Sequence, residues 1–215
     1  IHIISRHADM GVLQYSTNSS GSWATTAVDY AGEMESVSSI ALDSSDRVHV
    51  IYKCSFDSRL DQLKYATNAS SSWSTEIVDT EVRYLRSVAM DSSGRIHVCY
   101  ERNDSPDEEL KVATNASGSW STEIVESVAG GAEWVNMHLD SSDKIHVGYK
   151  TGSYLDQHLK VATNASGSWV VETMDTVAGD FSYIVTKLDC LDDTPAADTY
   201  ALSLHDALQI ATNAS

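Results

Sequence analysis

The chain has 215 residues, 42% of them hydrophobic and 21% charged, with a formal net charge of −17. That balance excludes a phosphate-gripping nucleic-acid surface and adsorption to an anionic membrane, both of which need clustered Lys and Arg. No apolar run approaches the ~20 residues that span a bilayer, and the apolar fraction is ample for a packed core.

Taken in chain order, one unit returns four to five times. The chain opens on Ile1-His2-Ile3-Ile4, already in a strand pattern and without a Met, so sequence is expected upstream. A diverged copy of a second element runs from Leu13 to Trp23. Leu42-Asp-Ser-Ser-Asp-Arg-Val-His-Val50 follows, then Leu63-Lys-Tyr-Ala-Thr-Asn-Ala-Ser-Ser-Ser-Trp73. Both motifs recur, at Met90–Val98 and Leu110–Trp120, then at Leu139–Val147 and Leu159–Trp169. Asparagines 18, 68, 115, 164 and 213 keep the beat, 50, 47, 49 and 49 residues apart.

Each unit reads as four strands. Ser87–Met90 is strand A, Arg95–Tyr100 is B, Leu110–Thr114 is C, and Trp120–Val125 is D. Asp-Ser-Ser-Gly/Asp turns separate A from B, and Asn-Ala-Ser-Gly turns separate C from D. Four short strands per ~40–50 residues define an all-β fold, a β-propeller or open part of one, built of four-stranded antiparallel blades. The pattern runs B-C-D, three full units, then A-B-C: eighteen strands in a single repeat domain spanning 1–215. Eighteen is not a multiple of four, so the chain is a window on a longer array, or copies complete one another. Residues 194–209 break the pattern. Ala197–Leu208 reads either as adapter-derived sequence from a metagenomic assembly or as a diverged final strand.

Candidate chemistry follows the repeat. Sequons stand at Asn18, Asn68, Asn103, Asn115, Asn164 and Asn213, and six of seven asparagines lie in one. They are glycosylation sites, or turn residues multiplied by duplication. Asp43, Asp91 and Asp140 could offer oxygens to calcium, but a four-residue turn supplies too few, and an Asx-turn explains them equally well. No cofactor is expected. Cys54, Cys99 and Cys190 have no disulfide or zinc spacing. His2, His49, His97 and His146 recur on strand B, about 10 Å apart between stacked sheets, and read as packed rather than metal-binding. Trp23, Trp73, Trp120 and Trp169 read as anchors between blades. The A–B and C–D turns share one side of the fold, and the variable B–C and D–A loops share the other. On that second side Tyr84, Glu133, Trp134, Tyr154, Asp156 and Tyr183 are the candidate ligand-binding residues.

The Asp-Ser-Ser-Gly-Arg-Ile-His-Val, Leu-Lys-Val-Ala-Thr-Asn and Gly-Ser-Trp motifs resemble sialidase-type (BNR-like) propeller repeats of secreted bacterial proteins, over residues 1 to about 190. The resemblance implies the architecture and leaves activity open. Arginines stand at 6, 47, 59, 83, 86, 95 and 102, with none in the second half, and no sialidase triad is visible. Near-identical blades also argue against a catalytic centre. The expectation is therefore a non-enzymatic extracellular or cell-surface glycoprotein, structural or fibre-forming, with glycans or copies of itself as partners and a homopolymer as one assembly. A sialidase-like glycoside hydrolase is the alternative.

Overall fold

The structure, a computed structural model, describes residues 1–7, 11–30, 33–56, 60–103, 107–153, 156–177, 199–204 and 207–212. It is all-β. The first sheet is a meander of β1 (His2–His7), β2 (Val12–Thr17) and β3 (Ala24–Tyr30). Three four-stranded antiparallel meanders follow. They are β4 (Glu33–Leu42) to β7 (Ser74–Thr80), β8 (Val82–Met90) to β11 (Ser121–Val128), and β12 (Glu133–Leu139) to β15 (Val170–Val177). Their middle strands are β5 (Val48–Phe56) and β6 (Leu60–Thr67), β9 (Ile96–Asn103) and β10 (Glu108–Thr114), and β13 (Ile145–Ser153) and β14 (Asp156–Thr163).

A last hairpin pairs β16 (Thr199–Leu204) with β17 (Ala207–Thr212), so the atypical 194–209 stretch contributes a strand at the place expected of B. Seventeen strands are thus described, against eighteen expected. The missing one, the final strand A, lies outside the described residues. Strand A is longer than its sequence pattern, because β8 begins at Val82 and carries irregularities near Tyr84 and Leu85 that interrupt alternation. Four-stranded antiparallel sheets are therefore established, and closure into a ring is not.

The core lies between sheets rather than within them. One apolar cluster joins Leu13 and Tyr15 of the first sheet to Val48, Val50 and Tyr52 of the second. A second joins Leu63, Tyr65 and Val78 to Ile96, Val98 and Tyr100. The third joins Leu110, Val112 and Val125 to Ile145, Val147 and Tyr149. Trp73 packs edge-on against Tyr15 of the preceding sheet at 5.3 Å, and Trp120 against Tyr65 at 5.4 Å, as anchors should. Trp23, with no described sheet before it, is exposed.

Each junction also carries a polar latch. Tyr52 donates to Asp29 at 2.6 Å, Tyr100 to Asp79 at 2.6 Å, and Tyr149 to Glu126 at 2.7 Å. A lysine on the neighbouring strand reaches the same carboxylate: Lys64 on Asp29, Lys111 on Asp79 at 2.9 Å, Lys160 on Glu126 at 2.6 Å. A β-bulge in the last strand of each of these sheets puts an apolar residue (Val28, Val78 or Val125) directly before that carboxylate. Burial, then the bond to the carboxylate, raises all three tyrosine pKa values.

The turn motifs have equally local causes. Asp91 Oδ1 accepts the Ser93 and Arg95 amides at 2.9 Å, and Oδ2 takes Arg95 Nε at 2.5 Å and His97 Nε2 at 3.2 Å. Asp43 and Asp140 repeat the pattern. These are the Asx-turns expected, with their oxygens engaged by the hairpin and by the recurrent histidine. The last turn residue has a left-handed backbone (φ 57° at Asp46, 78° at Gly94, 59° at Asp143), which is why Asp and Gly alternate there. The sequon asparagines brace the same end of each sheet: Oδ1 of Asn68, Asn115 and Asn164 accepts the amides of Val48, Ile96 and Ile145 at 2.7, 2.8 and 2.8 Å. Their recurrence therefore has a structural cause, independent of any glycan. Asn115→Ala is expected to lose about 1–2 kcal/mol in chemical denaturation, because the Ile96 amide is left without its acceptor.

Asp79, Asp91 and Asp140 all titrate below the ordinary carboxylate range. Burial pushes each up, and hydrogen bonds outweigh it: from Tyr100 and Lys111 at Asp79, and from turn amides and histidine at the other two. With folded pKa values below unfolded ones, their contribution is complete above the unfolded value near ~4 and is lost as pH falls through the folded values. Denaturation midpoints should hold from neutral pH down to about 5 and drop below ~4, with Asp91→Asn flattening that acid limb.

Candidate functional site

The variable-loop side of the fold carries a cavity of about 380 Å³ between the third and fourth sheets. Ligand sites commonly start at ~300 Å³. Its walls are the start of β8 (Arg83, Tyr84, Arg86), Glu101 of β9, and the β11–β12 connection with the start of β12 (Gly130, Ala132, Glu133, Trp134).

Glu101 lies at its base, only 1% exposed. Arg86 Nε donates to Glu101 Oε1 at 2.6 Å, and its Nη2 to the Ala132 carbonyl at 3.0 Å, tying β8 and β9 to the next sheet. Burial raises the Glu101 pKa, and the opposing pull of Arg86 and of the Ala132 amide does not cancel it. Arg83 forms an ion pair with Glu108. Gly131 lies between the lining residues Gly130 and Ala132. With φ +84°, a Cβ there would come within 2.1 Å of Glu108 Oε2 and 3.0 Å of Glu101 Oε2, so only glycine fits between the two carboxylates.

The rim is aromatic. The Arg83 and Arg86 guanidinium carbons stand 5.0 and 4.5 Å from the Tyr84 ring centroid, within cation–π range. Tyr84 and Trp134 are both exposed. Trp134 holds a left-handed backbone, φ 54°, in the β-bulge between Glu133 and Asn136. For a bulky residue that conformation costs ~1–3 kcal/mol, and such strain gathers at ligand sites. Lys150 Nζ lies 2.7 Å from Glu133 Oε2.

Of the residues expected from sequence, Tyr84, Glu133 and Trp134 meet at this one cavity. Asp156 starts β14, exposed, 3.5 Å from His158, and does not line it. Tyr154, Tyr183 and Asn213 lie outside the described residues. Asn103 ends β9 with its amide on the Glu81 carbonyl at 3.0 Å. Asn18, Asn68, Asn115 and Asn164 sit in the turns of the C–D side.

Sequence reasoning missed Arg86 and Glu101, although the repeat held the signal. At the Glu101 position the flanking copies have Lys53 and Lys150, and the fourth-sheet equivalent of Arg86 is Val135. Lys53 pairs with Asp61 at 2.6 Å and donates to the Arg83 carbonyl at 2.8 Å, which fills the equivalent space at the preceding junction. Glu101 and Glu108 instead bring two carboxylates together, and two arginines answer them.

No protein-family profile matches the chain, and no curated protein sequence matches it significantly. Solved structures do match. A polysaccharide lyase of family PL25, an ulvan lyase bound to -[GlcA(1-4)Rha3S]-, superposes with a TM-score of 0.52 at 11% identity. The match covers 99% of this chain and 63% of that one. A second ulvan lyase structure gives 0.51, with the same identity and coverage. A fucose lectin from Kordia zhangzhouensis in complex with methyl-fucoside matches at 0.39, 17% identity, over 62% of this chain and 95% of that one. At such identities the likeness is one of fold, and this chain spans less than two thirds of the ulvan lyases' length.

These findings correct the expectation that the protein is not an enzyme. Nearly the whole chain takes a fold in which a polysaccharide lyase is built. The shared ground with the sialidase-type resemblance is the coarser one of fold: stacked four-stranded antiparallel sheets.

Arg86→Leu is expected to destabilise the fold by about 3–5 kcal/mol, since Glu101 then lies buried without its counter-charge. Adding Glu101→Leu should recover most of that loss in urea denaturation.

Proposed function

We propose that this chain is the glycan-engaging part of an extracellular polysaccharide-acting protein, and that it holds an anionic polysaccharide across the cavity between the third and fourth sheets. The observation that carries this reading is Tyr84 flanked by two guanidinium groups, with a strained, exposed Trp134 lining the same cavity. Aromatic faces stack on the C–H faces of pyranose rings, and guanidinium N–H donors suit the planar or tetrahedral oxygens of carboxylate and sulfate. The ulvan lyase's bound sugar, -[GlcA(1-4)Rha3S]-, is a ligand of that kind.

A net charge of −17 opposes an anionic ligand at long range, yet distance decides the matter. Charges beyond the Debye length, ~8 Å at physiological salt, are largely screened. Within the cavity Arg83 answers Glu108, Arg86 answers Glu101, and Lys150 answers Glu133. Glu101's raised pKa tips the local sum toward positive charge as pH falls.

Isothermal titration with a glucuronate- and sulfate-bearing polysaccharide, against a neutral one, tests the reading. Tyr84→Ala and Trp134→Ala should each weaken binding at least tenfold, about 1.4 kcal/mol, with unchanged unfolding midpoints. Growth of unsaturated-uronate absorbance in the same mixtures would add lyase turnover. Equal binding by wild type and both variants would remove the cavity from the function.

A further inference from the structure

At the base of the cavity two carboxylates border one spot. Both Arg86 contacts land on a single oxygen of Glu101: Nε and Nη2 lie 2.6 and 2.5 Å from Oε1. The other oxygen, Oε2, lies beside the place a Gly131 side chain would fill, and Glu108 Oε2 borders the same place. Arg83 Nη1 pairs with Glu108 Oε1, so on both glutamates an arginine takes Oε1 and leaves Oε2 facing the glycine. Glu108 Oε2 is buried and has no hydrogen-bond partner among the described residues. Two anionic oxygens held so close repel, and such a pair binds a proton more tightly than a lone carboxylate.

The surrounding charges leave that proton a purpose. Strand β8 supplies Arg83 and Arg86, and β10 supplies Glu108. The β11–β12 connection is uncharged and contributes the Ala132 amide. On β9 itself, burial pushes the Cys99 thiol up and keeps it neutral, while Arg102 is engaged by Glu81 and Glu109. Across the cavity Glu133 and Lys150 answer each other. With both glutamates ionised, the two arginines are balanced. One proton on the pair leaves the wall a single positive charge in excess.

Resting on the glycan reading of this cavity, we propose that Glu101 and Glu108 form its proton switch: a proton on Glu101 Oε2 releases the charge of Arg86 to an anionic ligand. Because Arg86 bonds Oε1 alone, protonation at Oε2 leaves the guanidinium in place and changes only what its charge answers. Burial, which raises the Glu101 pKa, sets the switch above the ordinary glutamate value of ~4.3. The proton is held below the folded pKa and lost as pH rises through it, so anion affinity is higher on the acid side. The linkage is reciprocal, and a bound anion tightens the proton. A single proton is exchanged, which limits the change in affinity to about tenfold per pH unit.

Two measurements on the whole chain decide this. By NMR of the ligand-free wild type, the Glu101 carboxyl, assigned through its own backbone, should titrate above the ordinary ~4.3. Calorimetry then uses the glucuronate- and sulfate-bearing polysaccharide from about pH 5 to 8, where both of its anionic groups stay charged. Affinity should rise as pH falls, with proton uptake read from buffers of different ionisation enthalpy. Glu101→Gln, uncharged throughout and still offering Arg86 an oxygen, should keep the high affinity across the whole range. A Glu101 carboxyl that titrates in the ordinary range would overturn the switch. So would polysaccharide binding that is flat with pH in wild type, or a pH dependence that survives in Glu101→Gln, and in either case the glycan reading stands. Absence of binding at every pH removes the glycan reading, and the switch falls with it even where Glu101 titrates high.

Discussion

Every other feature of this molecule depends on the contact between one sheet and the next. A four-stranded meander of this size has no interior, and its apolar side chains are buried only when a neighbour covers them. Two kinds of interaction meet at that contact, and magnitudes separate their roles. Burying one large apolar side chain is worth ~1.5–3 kcal/mol, and each junction buries several. The Tyr–carboxylate–Lys latch gains Coulomb energy but loses hydration of two charges, so its net contribution stands near zero against an apolar replacement. Packing therefore supplies stability, and the latch supplies register. A sheet slipped by one residue would leave Asp79 facing neither Tyr100 nor Lys111, with its charge buried and unanswered.

The bulge in the last strand of each of the first three sheets is what makes packing and latch compatible. Regular alternation would send Val78 and Asp79 to opposite faces of their sheet. The extra residue lets both serve the same junction, apolar side chain beside carboxylate. The same device recurs at Val28–Asp29 and Val125–Glu126.

Much of this was legible in the sequence, and what was not has a physical reason. Period-two runs and Asx-turn residues mark the hairpins because both act over a few residues. The tryptophans were legible as anchors because a copied aromatic at one strand position has few other uses. The latch was not, because its partners lie 23 and 35 residues apart in the chain, on different sheets, and each alone looks like an ordinary surface residue. Tyr84, Glu133 and Trp134 stood out as loop residues that vary between copies. Glu101 and Arg86 did not, since they lie inside strands, where a charged residue at an alternating position reads as solvent-facing. The expectation of no catalysis fell for the same reason. It weighed how alike the copies are and overlooked the junction where Glu101 and Arg86 depart from them.

That divergence has a direction. A lone Lys→Glu change at the Glu101 position would have set an unpaired carboxylate beside Glu108 in a buried site, at a cost of several kcal/mol. Arg86 on β8 and Arg83 beside it answer those charges, and the side-chain-free Gly131 makes room between them. At the preceding junction Lys53 reaches across to a backbone carbonyl and fills the equivalent space. Here the longer detour of charge through Arg86 leaves a cavity behind it, and Tyr84 and Trp134 sit at its mouth. The opening thus accompanies a rebalancing of buried charge at this junction, and the apolar contacts that join the third and fourth sheets are kept beside it.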